Sequence, residues 1–291
     1  MGQVLVNSFV AAAGYLLVGV GFSLIYTSAR FFHFAHGVVL TWGAYTAFVL
    51  RVWLELPLWL ALSGGILGSA LLGITMEAAI YRPMRKRSAS STALLLSSMG
   101  MSVTLQAIIT IAFGSGTKSF KSGGPSEGLV ILNARITEPQ LALIVISSAC
   151  CLLTWFFLQR TQRGKMIRAV ADDLELARAY GLDPDRLILL AFLIGSTLAG
   201  VASVLLAYDS DMNPLMGFQT LLMGLIAVII GGIGRLSGAA LGAIFLALIS
   251  NLAGWWVSSI WQDTIVFIML VLFLIFRPQG FFGKPVRSAT V

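Results

Sequence analysis

"LILLAFLIGSTLAGVASVLL", residues 187–206, runs for 20 residues without Asp, Glu, Lys or Arg. A soluble helix must keep a polar face and a soluble strand must alternate, so neither has a use for such a run. A bilayer core about 30 Å thick needs roughly 20 apolar helical residues to cross it. Residues 57–76, 92–113 and 239–260 are equally free of charge. Over all 291 residues, 58% are hydrophobic and 11% charged, where soluble domains run near about 45–50% and 25%. The chain is an integral membrane protein.

Along the whole chain, runs that fit a span fall at about 5–28, 34–50, 57–80, 92–113, 139–158, 187–206, 219–233, 239–259 and 262–276, nine in all. If they alternate in direction, Arg30, "YRPMRKR" (81–87), "QRTQRGKMIR" (159–168) and a tail with Arg277, Lys284 and Arg287 share one side. With Arg178, Arg186 and Arg235, that side holds 15 of the 19 basic residues, leaving Arg51, Lys118, Lys121 and Arg135 opposite. The positive-inside rule makes the rich side cytoplasmic, with the amino terminus outside and the carboxyl terminus inside. The net charge of +7 is thus explained by topology and does not require a nucleic acid partner. The amino-terminal "MGQVLVNSFVAAAGYLLVG" has no basic residue before its apolar run and reads as an uncleaved first helix. Cys150 and Cys151 are helix neighbours pointing about 100° apart, unsuited to a mutual disulfide. The expected fold is all-α, a polytopic bundle of about eight to ten spans forming one domain over 1–291.

Two places interrupt the apolar pattern. "HFAHG" breaks it near residue 35, and "QTLLMGLIAVIIGGI" (219–233) is short and ends in glycines. Broken helices in membranes line cavities, because their freed backbone groups need protein or water partners. His36, Gly37, Gly231, Gly232 and Gly234 are therefore the expected solute-path residues. Gly64 and Gly68, and Gly234, Gly238 and Gly242, recur at fours and share helix faces where another backbone can approach.

Two connections are long. Residues 114–138, rich in Gly, Ser and charge, form an extracytoplasmic loop with room for a small structure of its own. In 159–186, Met166 to Tyr180 contains no Gly or Pro, and Ile167, Val170, Leu174 and Ala177 form one apolar stripe. This predicts one amphipathic helix. Gly181 suits the position after its end, and Asp183–Pro184 supplies an N-cap and first residue for the next helix. The opposite face carries Arg168, Asp172, Asp173, Glu175 and Arg178, a mixed-sign surface suited to a protein partner.

No reactive constellation is present: no HExxH, GxSxG or GxxxxGK[ST], and no buried carboxylate pair. No catalytic residue, cofactor or metal is expected. His33 and His36, the only 2 histidines, could share a helix face, but a metal would need further ligands nearby. Glu77 is the one clear acid within a span, shortly before Arg82. An ionised residue at the bilayer centre costs about 2.5–3.5 kcal/mol, which ion-driven transporters accept for their coupling ion. This chain largely avoids that cost. A solute path would be lined by small neutral groups, and the energy would come from a partner acting on the 166–180 helix.

Several stretches, in order from about residue 14 to 283, resemble the branched-chain amino acid ABC permeases, in particular the smaller of two related subunits. These are "GVGFSLIYTSARFFHFAHGVVLTWGAY", "AAIYRPMRKRSASSTALLLSSMGMSVTLQ", "RAVADDLELARAYGLDPDRLILLAFLIGSTLAGVAS", "NPLMGFQTLLMGLIAVIIGGIGRLSGAALGA" and "RPQGFFG". The resemblance implies a bacterial inner-membrane importer: a second, homologous permease subunit, two cytoplasmic ATP-binding subunits and an extracytoplasmic solute-binding protein. It also implies that Arg168 to Gly181 is the segment coupling to the ATPase. Glu175, Ala177 and Gly181 match the importer pattern E-A-A-x-x-x-G, with Leu176 departing from it. Met223 stands about where many relatives carry lysine, and His33 where asparagine is usual. Members of the family carry branched-chain or other neutral amino acids, urea or short amides. A self-contained, ion-coupled transporter is the alternative from another class, with Glu77 its sole candidate carboxylate.

Overall fold

The structure, a computed structural model, describes residues 1–120, 128–131, 134–257 and 259–282. Its helices are α1 (Gly2–Ala29), α2 (His36–Phe48), α3 (Leu58–Met76), α4 (Arg82–Lys86), α5 (Ser91–Phe113), α6 (Glu138–Arg160), α7 (Gln162–Asp172), α8 (Leu174–Ala179), α9 (Pro184–Asp209), α10 (Met216–Gly231), α11 (Leu236–Trp256) and α12 (Gln262–Phe276). π-helical turns at Val49–Trp53 and Glu77–Tyr81 extend α2 and join α3 to α4.

α1 and α9 are apolar on all sides, so each must be covered on all sides. They pack on one another at the centre of the bundle, with α10 and α11 against α1, and α2 and α3 against α9. Their crossing is close because Gly21 and Gly195 face each other. A Cβ built on Gly21 would lie 2.7 Å from the Gly195 carbonyl oxygen. α3, α5 and α6 sit outside and expose Leu71, Val103, Ile111 and Leu153. In water these faces would be a liability; in lipid they are solvated.

Among the described residues, each of the nine apolar runs holds a helix, although 34–35 is a turn before α2 and α10 ends at Gly231, short of 233. Six helices are long and apolar enough to span, while α10 and α12 are shorter, at 16 and 15 residues. α2 is also short, with 13 α-helical residues before its π turn.

Three expectations change. The helix of the 57–80 run continues beyond its expected end, through "YRPMRKR" to Lys86. Pro83 has no N–H to give, and the π turn just before it shifts the ladder so that the helix continues. Gly234 lies before α11 with φ +88°, so the expected three-glycine face reduces to Gly238 and Gly242. The single helix over 166–180 is two helices, α7 and α8, broken at Asp173. Asp173 is extended (φ −152°, ψ 112°), and its carboxylate accepts from the N–H groups of Glu175 and Leu176. Aspartate competes with the helix backbone for its own hydrogen bonds, and here the local cap prevails over propensity.

The end of the bundle holding the start of α1 is closed by a short hairpin. β1 (Leu129–Ile131) pairs antiparallel with β2 (Ala134–Ile136), within the loop expected to have its own structure. Gln3 binds the Arg135 backbone through both amide atoms. Lys118 exchanges two 2.8 Å backbone hydrogen bonds with Met212. Arg30, α4, α7 and α8 gather at the opposite end.

Candidate functional site

Two helix breaks resemble each other. α1 ends at Ala29 and α2 starts at His36; α9 ends at Asp209 and α10 starts at Met216. Each connector closes into its next helix through a turn: the N–H of His36 donates to the His33 carbonyl at 3.1 Å, and that of Met216 to the Asn213 carbonyl at 3.1 Å. The two new helices meet near their first residues. A Cβ on Gly37 would lie 2.9 Å from the Gly217 carbonyl oxygen, and one on Gly217 would overlap the Gly37 carbonyl. The Gly217 N–H donates to Thr41 Oγ1 at 3.2 Å, satisfying a first-turn donor. Glycine is required at both positions because backbone touches backbone.

The connector ahead of α2 is held on several sides. Ser98 of α5 accepts from the Phe34 N–H at 3.2 Å, and its one proton is shared between the Leu95 carbonyl at 2.8 Å and the Phe32 carbonyl at 3.2 Å. His33 is fully buried among the rings of Phe31, Tyr81 and Phe192, with centroids 6.0, 5.3 and 5.1 Å away. His36 sits at the Gly21–Gly195 crossing, where a Cβ on Gly21 would come within 3.1 Å of its Nε2. The ring centroids of the two histidines are 6.0 Å apart. Among the described residues no group of three His, Cys, Asp or Glu side chains could hold a metal. The pair is packed among aromatic rings.

The segment after α6 turns sharply at Thr161, whose hydroxyl caps α7 by accepting from the Gly164 N–H at 3.0 Å. Gly164 is needed because a Cβ there would press on Leu158 at 2.6 Å from its Cα. Ile167, Val170 and Ala177 form the buried stripe that periodicity predicts. Arg168, Asp172, Asp173, Glu175 and Arg178 are all exposed. Gly181, at φ +80°, ends the segment as expected, with the Leu182 N–H reaching back to the Ala177 carbonyl. Asp183 then caps α9 with Pro184 at its first position.

Between α1, α6, α7, the end of α10 and the start of α11 lies a cavity of about 720 Å³. Its polar lining includes Ser23, Thr27, Gln159, Arg168, Asp172 and Arg235, and Gly234 also lines it. The cavity thus brings together residues that the sequence assigned separately to the solute path and to the partner surface. His36 and Gly37 lie elsewhere, at the α2–α10 meeting point. Gly231 is closed against Gly238 of α11, and Gly232 (φ +100°) turns the chain out of α10.

Sequence reasoning missed two contacts. Glu77, fully buried, is bound by both guanidinium nitrogens of Arg85 rather than by Arg82. Arg85 and Arg82 in turn reach Asp185, at 3.5 and 3.4 Å, in the first turn of α9. Spacing hinted at the Glu77–Arg85 pair, which lies two turns apart on a continuing helix. Arg30 is the second case: one guanidinium nitrogen donates to the carbonyls of Ala171 and Asp172, the latter at 3.0 Å. No local signal marks it.

Apolar helices around two glycine-joined helix starts, with an exposed amphipathic segment at one end, are the architecture of a multi-pass membrane protein. Residues 4–274 match the family described as branched-chain amino acid transport system / permease component, and the chain belongs to that family. It is 30% identical to the high-affinity branched-chain amino acid transport system permease protein LivH of Salmonella typhimurium, over 97% of this chain and 96% of the relative. It is also 30% identical to the permease protein BraD of Pseudomonas aeruginosa, with the same two shares covered. The fold is similar to a chain of PsaBC from Streptococcus pneumoniae in complex with Fab (TM-score 0.52, 15% identity, 96% of this chain and 92% of that one).

Proposed function

We propose that this chain is the membrane-spanning subunit of an ABC importer that moves branched-chain or other small neutral amino acids inward, doing no chemistry on them. Its partners in this reading are a second, homologous permease subunit, two ATP-binding subunits on the cytoplasmic side and an extracytoplasmic solute-binding protein. The membrane is the bacterial inner membrane, with Arg30, α4, α7 and α8 facing the cytoplasm and the hairpin end facing out. The charge distribution supports this orientation, since basic residues crowd the Arg30 end.

The observation that carries the reading is the α7–α8 segment. Its apolar stripe is buried against the bundle, its mixed-sign face is exposed, and caps at Thr161 and Asp183 bound it, with Asp173 capping α8 between them. A helix pair held this way can receive a push and pass it to the spans. Ion coupling is disfavoured by the same geometry, because Glu77 already has a bidentate cationic partner. The solute path in this reading runs past the α2–α10 meeting point, His36 and Gly37, and the Gly231–Gly234 turn.

The test is Gly181→Leu or Glu175→Lys in the transporter assembled in proteoliposomes. Gly181 is left-handed, so a branched side chain strains the end of α8 by about 1–2 kcal/mol. Solute-stimulated ATP hydrolysis and uptake should both fall. If both remain at the unaltered level, the coupling assignment is wrong.

A further inference from the structure

We infer that Arg30 is a positioning residue that ties the α7–α8 segment to the α1–α2 connector, so that movement of the segment is delivered to the start of α2. The inference rests on the coupling role proposed above for that segment.

Three independent observations meet at this residue. The first is its backbone. Arg30 ends α1 in the left-handed region (φ 61°, ψ 29°), its N–H capping the Tyr26 carbonyl at 2.9 Å. Helices commonly end this way, but with glycine, because a side chain there is strained. Glu55 and Ser88, the other described non-glycine residues with positive φ, likewise lie in short connections between helices. A strained backbone kept at a position where glycine would relieve it points to a use for the side chain.

The second observation is where that side chain goes. The guanidinium donates to the carbonyls of Ala171 and Asp172, in the last turn of α7. Those carbonyls have no partner within their own helix, and a cation there also meets the negative end of the helix dipole. α7 therefore ends on Arg30 at the point where Asp173 breaks it from α8.

The third observation is the packing of the connector that begins at Arg30. Phe31 to Ala35 are packed and anchored: Phe31 and His33 are buried against Tyr81, and Ser98 holds the backbone on both sides of His33. At its far end α2 begins, and Gly37 lies against Gly217 of α10. A displacement of α7 has a short, stiff route from Arg30 to that backbone contact, with no flexible loop between.

Arg30→Gly separates backbone from side chain. It keeps or eases the left-handed turn while removing the link to α7. In the assembled transporter in proteoliposomes, uptake is expected to fall about tenfold, within the ordinary range of coupling between sites. Basal ATP hydrolysis is expected to persist, and its stimulation by solute-loaded binding protein to be lost. Arg30→Lys, which still presents a cation to the two carbonyls, should recover part of that stimulation. Unchanged uptake and stimulation in Arg30→Gly overturn the inference. So does loss of assembly, which would make Arg30 a packing residue only. Uptake by the unaltered transporter that persists without ATP hydrolysis would instead refute the parent reading, whatever Arg30 does.

Discussion

Glu77 shows how a charge comes to sit inside an apolar bundle. It is fully buried, and Arg85 and Asp185 are only slightly exposed. Burying an ionised carboxylate is costly unless the partner is close and well aligned, as the bidentate guanidinium is. The cost of removing one partner is accordingly larger than the worth of the pair. Glu77→Ala is expected to destabilise the protein by about 3 kcal/mol, toward the low end for a buried pair because Arg85 keeps Asp185. A thermal midpoint in detergent within a degree of the unaltered protein would contradict this. Gly217 makes a different kind of demand, of space rather than charge. Its absent Cβ is where the Gly37 carbonyl lies. Gly217→Val is expected to push α2 and α10 apart at a cost of about 1–3 kcal/mol and to abolish uptake. Solute uptake by purified, folded Gly217→Val at the unaltered rate would show that this contact has no part in transport.

Among the elements, the break between α7 and α8 is the feature that periodicity concealed. Ile167, Val170, Leu174 and Ala177 keep the spacing of one helix, yet Asp173 between them takes the extended backbone of an N-cap. An aspartate N-cap is worth about 1 kcal/mol, and α8 has only 6 residues over which to distribute that loss. Asp173→Ala is therefore expected to fray α8 or fuse it with α7. Hydrogen exchange should quicken at Glu175 and Leu176, whose N–H groups the carboxylate now holds, and stay unchanged in α9. Equal protection of Leu176 in both proteins would rule the cap out as the cause of the break. The two connectors, 30–35 and 210–215, teach the complementary lesson. Pattern alone marked the first as irregular, and only the shared turn geometry and the Gly37–Gly217 contact show the second to be its counterpart.

For the bundle entire, the two ends differ in what they carry: the hairpin and Gln3 at one, the basic helices and Arg30 at the other. The proposed orientation makes Lys86 cytoplasmic and Arg135 external. Single cysteines at these two positions should react with a membrane-impermeant maleimide from opposite sides of sealed cells or inverted vesicles. Labelling of Arg135→Cys only in inverted vesicles would reverse the assignment. Residue order alone was enough for the helical bundle, the positions of its nine apolar runs, the charge bias between its ends and the caps at Gly181 and Asp183. These depend on run length, composition and neighbours within a turn or two, all of which are local. It was not enough to say which arginine meets Glu77, that Asp173 splits the amphipathic helix, or that one cavity is lined by Arg168, Asp172 and Gly234 together. Nor did it show Arg30 on α7 or Thr41 on Gly217, contacts that link residues 141 and 176 positions apart. Such contacts exist only once apolar helices have packed, because packing, and not spacing along the chain, selects which polar groups are left within reach of one another.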